Sequence, residues 1–219
     1  MIEKNLRAVA NAYKNLKRTY YAGKSVGAMR REFLRDIKSE LGDCALKYDF
    51  ICGKDTLNID GVTRNYVPKA GDTLIIDISV RLEGKWCDVC RTFFFGEPSP
   101  EQKAVFDLVA RSISAGEKVL KKGKSAKTVY KAVNEVYQKK GFSLVHHAGH
   151  KIGTRALMQP QFLPQKGTRI KLGEYYTIES GLYEGFGLRL ENDYLITENG
   201  SENLFIDLMP FDLKEYILK

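Results

Sequence analysis

The spacing of apolar residues divides the chain into blocks of two different periods. Over residues 3–20, Leu6, Ala10, Tyr13 and Leu16 recur at helical spacing, and Gly23 follows as a stop. Met29, Phe33, Leu34 and Ile37 mark a second helix from about Ser25 to Leu41, and residues 45–53 read as a strand. A polar stretch with a turn at Asp60-Gly61 follows, and then the period changes. Thr73 to Val80 is rich in β-branched residues, Glu83-Gly84 turns it, and Lys85 to Phe95 returns as the second arm of a hairpin. Ser99-Pro100-Glu101-Gln102 supplies a capping serine, a proline at the first helical position and a glutamine three residues past the cap. The helix it opens should reach about Lys121, and another runs from near Ser125 to Gly141. Past the segment 145–153, Pro160, Pro164 and Gly167 predict a loop. Tyr175 to Leu182 and Phe186 to Thr197 form a second hairpin about Glu184-Gly185. Asn199-Gly200 turns into a short strand over Ser201–Ile206, and Pro210–Lys219 reads as a short helix or an extended edge.

The order helix–helix–strand–hairpin thus occurs twice, and the repeat carries side chains with it. Lys69-Ala70-Gly71-Asp72-Thr73-Leu74-Ile75-Ile76-Asp77 aligns with Lys171-Leu172-Gly173-Glu174-Tyr175-Tyr176-Thr177-Ile178-Glu179. Each copy has a basic residue two before glycine, an acid directly after it and a second acid six residues beyond it. Each return arm adds one more acid, Asp88 in the first hairpin and Glu191 in the second, at separations of eleven and twelve residues. It is a weak repeat by identity and a good one by pattern.

Composition narrows the class of protein. A length of 219 residues with 43% apolar and 11% aromatic residues suits one large globular domain or two intimately packed halves. No run approaches the roughly 18 apolar residues of a membrane span, and charge at Glu3, Lys4 and Arg7 interrupts the apolar core a secretion signal needs. A cytoplasmic location is expected. The formal charge of +8 favours anionic partners but defines no site. Nucleic acid is not an expected partner, because no basic stretch with interleaved aromatics resembles a known module. Cys44, Cys52, Cys87 and Cys90 suit buried positions better than a disulfide framework or a thiolate zinc site, although Cys87-x-x-Cys90 has the spacing for one.

All three histidines, His146, His147 and His150, fall within five residues. Imidazole is the commonest metal ligand and the usual proton shuttle near neutral pH, so any histidine chemistry happens here. Directly opposed residues of a hairpin lie about 5 Å apart. The turn at Glu83-Gly84 is expected to bring Asp77 opposite Asp88, and that at Glu184-Gly185 to bring Glu179 opposite Glu191. Like charges so placed repel, and cations neutralise them. Four carboxylates with an imidazole suit manganese, iron, cobalt or zinc, and bridging oxygens can hold two ions about 3.5–4 Å apart.

The pattern Asp77-x10-Asp88, Gly149-His150-x-Ile152-Gly153, Ile178-Glu179 and Arg189-Leu190-Glu191 resembles the pita-bread metallopeptidases, which include methionine aminopeptidase, aminopeptidase P and prolidase. The resemblance runs from about residue 3 to 206. Within the family, Asp88-Val89-Cys90-Arg91-Thr92-Phe93, His146-x-x-Gly149-His150 and Gly187-Leu188-Arg189-Leu190-Glu191 are most similar to the Xaa-Pro peptidase branch. It implies an α+β pita-bread fold with two pseudo-twofold halves around a central antiparallel sheet. The expected layout is one catalytic domain over residues 1–219, with half-repeats at about 3–97 and 98–206 and without the branch's amino-terminal accessory domain. The implied metal ligands are Asp77, Asp88, His150, Glu179 and Glu191, holding two divalent ions (Mn, Co, Fe or Zn), with Asp88 and Glu191 bridging. The implied catalytic residues are Glu179, His146 and Arg189.

The activity implied is hydrolysis of a peptide or amide bond near a free amino terminus, by a homodimer acting on a peptide or small amide. The alternatives are a metal-dependent reaction on a non-peptide small molecule and a non-catalytic peptide- or nucleic-acid-binding module of the same fold. The chain departs from the family outside the ligands. The family histidine seven residues past the ligand is Leu157 here, and the one before the first hairpin aligns with Asp60. Lys151 replaces the glycine after the ligand and is read as pointing to solvent. Losing one oxyanion donor typically costs about 10²–10³ in rate, which makes the peptidase activity the open part of the expectation.

Overall fold

The computed structural model describes residues 2–219. Two pairs of helices pack on one sheet, and each pair precedes one of the two hairpins. Helix α1 (Ile2–Thr19) buries Leu6, Ala10, Tyr13 and Leu16, the expected stripe. Helix α2 (Val26–Leu41) starts where Ser25 accepts the Ala28 N–H and stops at Gly42. Strand β1 (Ala45–Cys52) and a 3-10 turn at Gly53–Leu57 lead to the first hairpin, β2 (Thr73–Leu82) and β3 (Lys85–Phe95). Helix α3 (Pro100–Val119) begins in the reciprocal Ser99–Gln102 capping box that the sequence announces. Helix α4 (Ala126–Gln138) follows, then β4 (His150–Ile152), β5 (Met158–Gln161) and the second hairpin, β6 (Tyr175–Glu184) and β7 (Phe186–Thr197). Short strands β8 (Gly200–Asn203) and β9 (Ile217–Leu218) complete the sheet.

Two expectations change. The segment after His150 is not only loop: β4 and β5 pair with each other, and β4 pairs with β6. The last strand of the second hairpin region ends at Asn203 rather than Ile206, because the Asn203 side-chain oxygen accepts the Phe205 and Ile206 N–H groups and turns the chain. The tail is both things expected of it, a 3-10 turn at Leu213–Tyr216 and then the edge strand β9, parallel to β3.

Strand order is β1-β2-β3-β7-β6-β4-β5, so the hairpins meet at β3 and β7 in the middle of the sheet. The backbone ladder across that seam is a single register pair, Cys90↔Glu191. Side chains do the rest. Thr92 Oγ1 accepts the Arg189 N–H and donates to the Arg189 carbonyl, and the Asp88 N–H donates to Asp193 Oδ2 at 3.0 Å. Arg91, fully buried, donates to the carbonyls of Cys90, Glu191 and Met209 and lies between the rings of Phe205 and Phe211. A guanidinium satisfies several carbonyls at once in a fixed fork, which a lysine at 91 does not reproduce.

The helices fix the back of each hairpin. Tyr13 of α1 donates its hydroxyl to the Ile76 carbonyl at 2.9 Å, under β2. Under β6, Ser180 is hydrogen-bonded to Ser112 of α3 and Tyr137 of α4, at 2.6 and 2.7 Å. Ile76, Ile78, Ile178 and Ser180 thus face the helices. Alternation along a strand then turns Asp77 and Glu179 to the opposite face. That face carries the chemistry.

Candidate metal centre

A row of side chains crosses the sheet on that face. The backbone pairs Asp49↔Asp77, Asp77↔Cys90, Cys90↔Glu191 and Glu191↔Glu179 run through β1, β2, β3, β7 and β6 in turn. Residues paired across antiparallel strands share a face, so four carboxylates and a thiol lie in line. Glu179 is opposite Glu191 as expected. Asp77 is not opposite Asp88: it pairs with Cys90, while Asp88 pairs with Ser79. The tight turn at Glu83-Gly84 closes the first hairpin on Leu82↔Lys85, which sets Asp77 and Asp88 one diagonal step apart. They remain on one face, since the shift is two residues.

His150 enters from β4. Its N–H donates to Thr177 Oγ1, and the Glu179 N–H donates to the Ala148 carbonyl, so the histidine segment is laced to β6. Gly149 permits that approach. Its φ is +121°, and a Cβ there would lie 2.2 Å from the Thr177 carbonyl oxygen. Strained backbone plus overpacking costs about 2–4 kcal/mol. Gly149→Ala is therefore expected to lower unfolding stability by about that amount in denaturant titration, and an unchanged midpoint would contradict this packing.

At the centre, His150 Nε2 lies 3.7 Å from both Asp88 Oδ2 and Glu191 Oε1. The ring's other nitrogen, Nδ1, donates to the Lys151 carbonyl at 3.1 Å, which leaves Nε2 as the free lone pair. Ligating histidines are commonly held in this way. A separation of 3.7 Å is too long for a hydrogen bond. It is close to the roughly 3–3.5 Å between neighbouring donors that each sit about 2.1 Å from a shared cation. Asp88 Oδ1 accepts from Ser79 Oγ at 2.9 Å, while Glu191 Oε1 is buried with no hydrogen-bond partner. An orphaned carboxylate oxygen facing a lone-pair nitrogen and a second carboxylate is a donor set that fits a divalent cation, and Asp88, His150 and Glu191 form one of two such groups in the described residues.

The other group is His146, His147 and Glu179. His147 Nδ1 is 3.3 Å from Glu179 Oε2, and His146 Nδ1 is 3.7 Å from Oε1. His146 donates from Nδ1 to the His147 carbonyl at 2.6 Å and turns Nε2 to the Tyr183 hydroxyl. Arg189 stands at the opposite end of the row. Its Nη2 lies 2.9 Å from Asp49 and 3.2 Å from Asp77, and Nη1 reaches the Ile59 carbonyl. Lys151 points away from the row and pairs with Glu174 at 2.5 Å. Asp60 and Leu157 are both exposed.

Burial and crowding set the charge states. Burial, then the neighbouring Asp77 and Asp193, push Asp88 well above the carboxylate range, and burial with Asp88 and Glu179 does the same to Glu191. Burial raises Asp77 to about 7 despite Arg189. Glu179 alone is lowered, because His146, His147, Arg189 and His150 together outweigh its burial. Burial lowers His150 to about 4 and lowers His146.

These shifts fix a sign for the metal-free protein. The raised carboxylates bind protons more tightly folded than unfolded, so their contribution to stability is present at low pH and is lost as pH rises through the folded values. The lowered histidines act oppositely, but only below about pH 6.5, the unfolded value. Chelator-treated protein is therefore expected to melt at lower temperature at about pH 8 than at about pH 6.5, and added Mn²⁺ to raise the midpoint most at the higher pH. A midpoint that climbs over that interval without metal would contradict the burial of these acids.

Sequence reasoning missed four neighbours of the row. Asp49 lies on a strand whose partner the pattern does not name. Cys90 is buried as expected, but its place between Asp77 and Glu191 in register does not follow from the pattern. Tyr183 and Asp193 share a face with Glu179 and Glu191 by simple alternation, which was the available signal.

A curled antiparallel sheet has paired helices behind it and, in front, a carboxylate–imidazole cluster that could hold a metal ion. The chain belongs to metallopeptidase family M24, whose model matches residues 1–198, and it has the pita-bread fold of solved prolidases and X-Pro aminopeptidases. It is 33% identical to an uncharacterized peptidase of Methanocaldococcus jannaschii over 142 residues, covering 62% of this chain and 41% of that one. It is 28% identical to the Xaa-Pro dipeptidase of Pyrococcus furiosus over 148 residues, 66% of this chain and 42% of that one. The chain thus matches less than half the length of these relatives. Among solved structures, the prolidase of Pyrococcus furiosus superposes with a TM-score of 0.87 at 24% identity, covering 93% of this chain and 62% of that one. The X-Pro aminopeptidase of Thermotoga maritima gives 0.84 at 24%, covering 93% and 59%. Among the described residues no helix is long and apolar enough to cross a membrane.

Proposed function

We propose that this chain hydrolyses the peptide bond of short Xaa-Pro substrates near a free amino terminus, with two divalent ions held by Asp77, Asp88, His150, Glu179 and Glu191. The observation that carries this reading is the convergence of His150 Nε2, Asp88 Oδ2 and the orphaned Glu191 Oε1 on one point of the sheet. Bound there, the ions would polarise the scissile carbonyl and acidify a water. Glu179, kept ionised by its histidine neighbours, takes a proton during attack. His146, with Nδ1 3.7 Å from that carboxylate, presents Nε2 to the Tyr183 hydroxyl 3.3 Å away. Arg189 neutralises Asp77 and Asp49 and so orients Asp77 toward the row.

The test is cleavage of a library of Xaa-Pro dipeptides and tripeptides, with amino-blocked controls, by protein loaded with Mn²⁺ or Co²⁺. Cleavage that requires the free amine is the expected result. Stoichiometrically loaded protein that cleaves none of the library would overturn the reading. One observation favours a second one, a metal-dependent reaction on a non-peptide amide. Both outer family histidines are replaced, and Leu157 and Asp60 are exposed where those groups are expected. Turnover of small amides with no peptide cleavage would select it.

A further inference from the structure

Asp88 and His150 reach the candidate centre from β3 and β4, which β7 and β6 separate in the sheet. Each has its backbone N–H held by a side chain of the strand between. The Asp88 N–H donates to Asp193 Oδ2 of β7 at 3.0 Å, and the His150 N–H donates to Thr177 Oγ1 of β6 at 3.1 Å. Asp193 and Thr177 are themselves register partners, and both are fully buried. We propose that Asp193 and Thr177 are a pair of positioning residues that set the approach of Asp88 to His150, and with it the affinity of the centre for a divalent cation. The proposal rests on the metal-binding part of the reading above.

The seam between the hairpins shows why side chains are needed there. The backbones of β3 and β7 form the single register pair Cys90↔Glu191. Continuing that register by two residues sets Asp88 opposite Asp193 on one side and Thr92 opposite Arg189 on the other. At both places a side chain replaces the ladder: Thr92 Oγ1 bonds the Arg189 backbone, and Asp193 Oδ2 accepts the Asp88 N–H. The Ser79 hydroxyl holds Asp88 Oδ1 from β2. Asp88 is thus fixed from both neighbouring strands, and its Oδ2 is left facing His150 Nε2 at 3.7 Å. Thr177 completes the same arrangement for His150, whose Nδ1 is tied to the Lys151 carbonyl. Asp193 Oδ1 has no hydrogen-bond partner. A buried carboxylate satisfied at one oxygen only costs stability, and its service to Asp88 gives that cost a function.

The test is metal affinity, which a merely structural role would leave unchanged in a folded variant. Metal-free protein and its variants are titrated with Mn²⁺ by calorimetry, after matched melts show which are folded. Partners that orient a metal ligand commonly govern about 10–100-fold in affinity. Asp193→Ala and Thr177→Val are expected to bind Mn²⁺ more weakly by about that factor. Asp193→Asn and Thr177→Ser, which keep an oxygen for each N–H, are expected to stay within about threefold of the unsubstituted chain. If Asp193→Ala does not fold, the Thr177→Val and Thr177→Ser pair decides. Undiminished affinity in the folded Ala and Val variants overturns the proposal. So does a fall in Asp193→Asn as large as that in Asp193→Ala, since affinity would then follow the charge and not the hydrogen bond. Either result removes the proposal alone, whereas an unsubstituted chain that binds no Mn²⁺ removes the metal reading and the proposal with it.

Discussion

Asp88→Asn is expected to lower kcat/KM by at least about 10³-fold without destabilising the metal-free protein. The two halves of that expectation come from one side chain. Asp88 stands 3.7 Å from His150 Nε2, and its other oxygen is held by Ser79 at 2.9 Å. Asparagine keeps the volume and a hydrogen bond to Ser79 but offers one weak oxygen donor where a charged carboxylate stood. In the absence of a cation, however, the charge is a burden. Asp88 is buried among Asp77, Asp193 and Glu191, and removing one of several like charges relieves repulsion. Parallel measurements of kcat/KM and of the metal-free melting midpoint check both parts. Retained activity would remove Asp88 from the centre. A large loss of metal-free stability would show that its role is structural.

The second large effect is expected at Glu179. Glu179→Gln preserves the shape of the side chain beside His146 and His147 but cannot accept a proton. General base catalysis contributes about 10²–10⁴ in rate. A fall of that size in kcat with KM little changed is the expected signature, since the loss is felt in the transition state. Asp88, His150 and Glu191 remain to hold metal in this variant, so bound cation measured by elemental analysis should persist. Unchanged kcat would assign the proton transfer to another group.

Much of this arrangement is legible in the sequence because it follows from local rules. The Ser99–Gln102 capping box fixes the start of α3, and the stripes of α1 and α2 face where their period places them. The paired glycine-acid openings of the two hairpins locate Asp77 and Glu179, and alternation puts them on one face. What local rules do not supply is register. The exact opposition of Asp77 and Asp88 depends on which residues the turn at Glu83-Gly84 consumes, and the observed closure shifts it by one diagonal step. Short strands such as β4 and β5 leave too few residues for any period to show, so the pairing of His150 with Gln161 is invisible until the sheet exists. Asp49 and Arg189, 140 residues apart, illustrate the same limit, since their ion pair follows from strand order alone. The repeat alone picks out Asp77, Asp88, Glu179 and Glu191, and the family resemblance adds the choice of His150 among three histidines.

The most direct test of the centre is an anomalous difference map from crystals of this chain grown with Co²⁺. Strong peaks are expected over the cross-strand row, within coordination distance of Asp88, His150 and Glu191, with Asp77 and Glu179 at its two sides. A map with no peak beside the Glu191 carboxylate, in crystals whose solution binds cobalt elsewhere or not at all, would contradict a metal-dependent role for these residues.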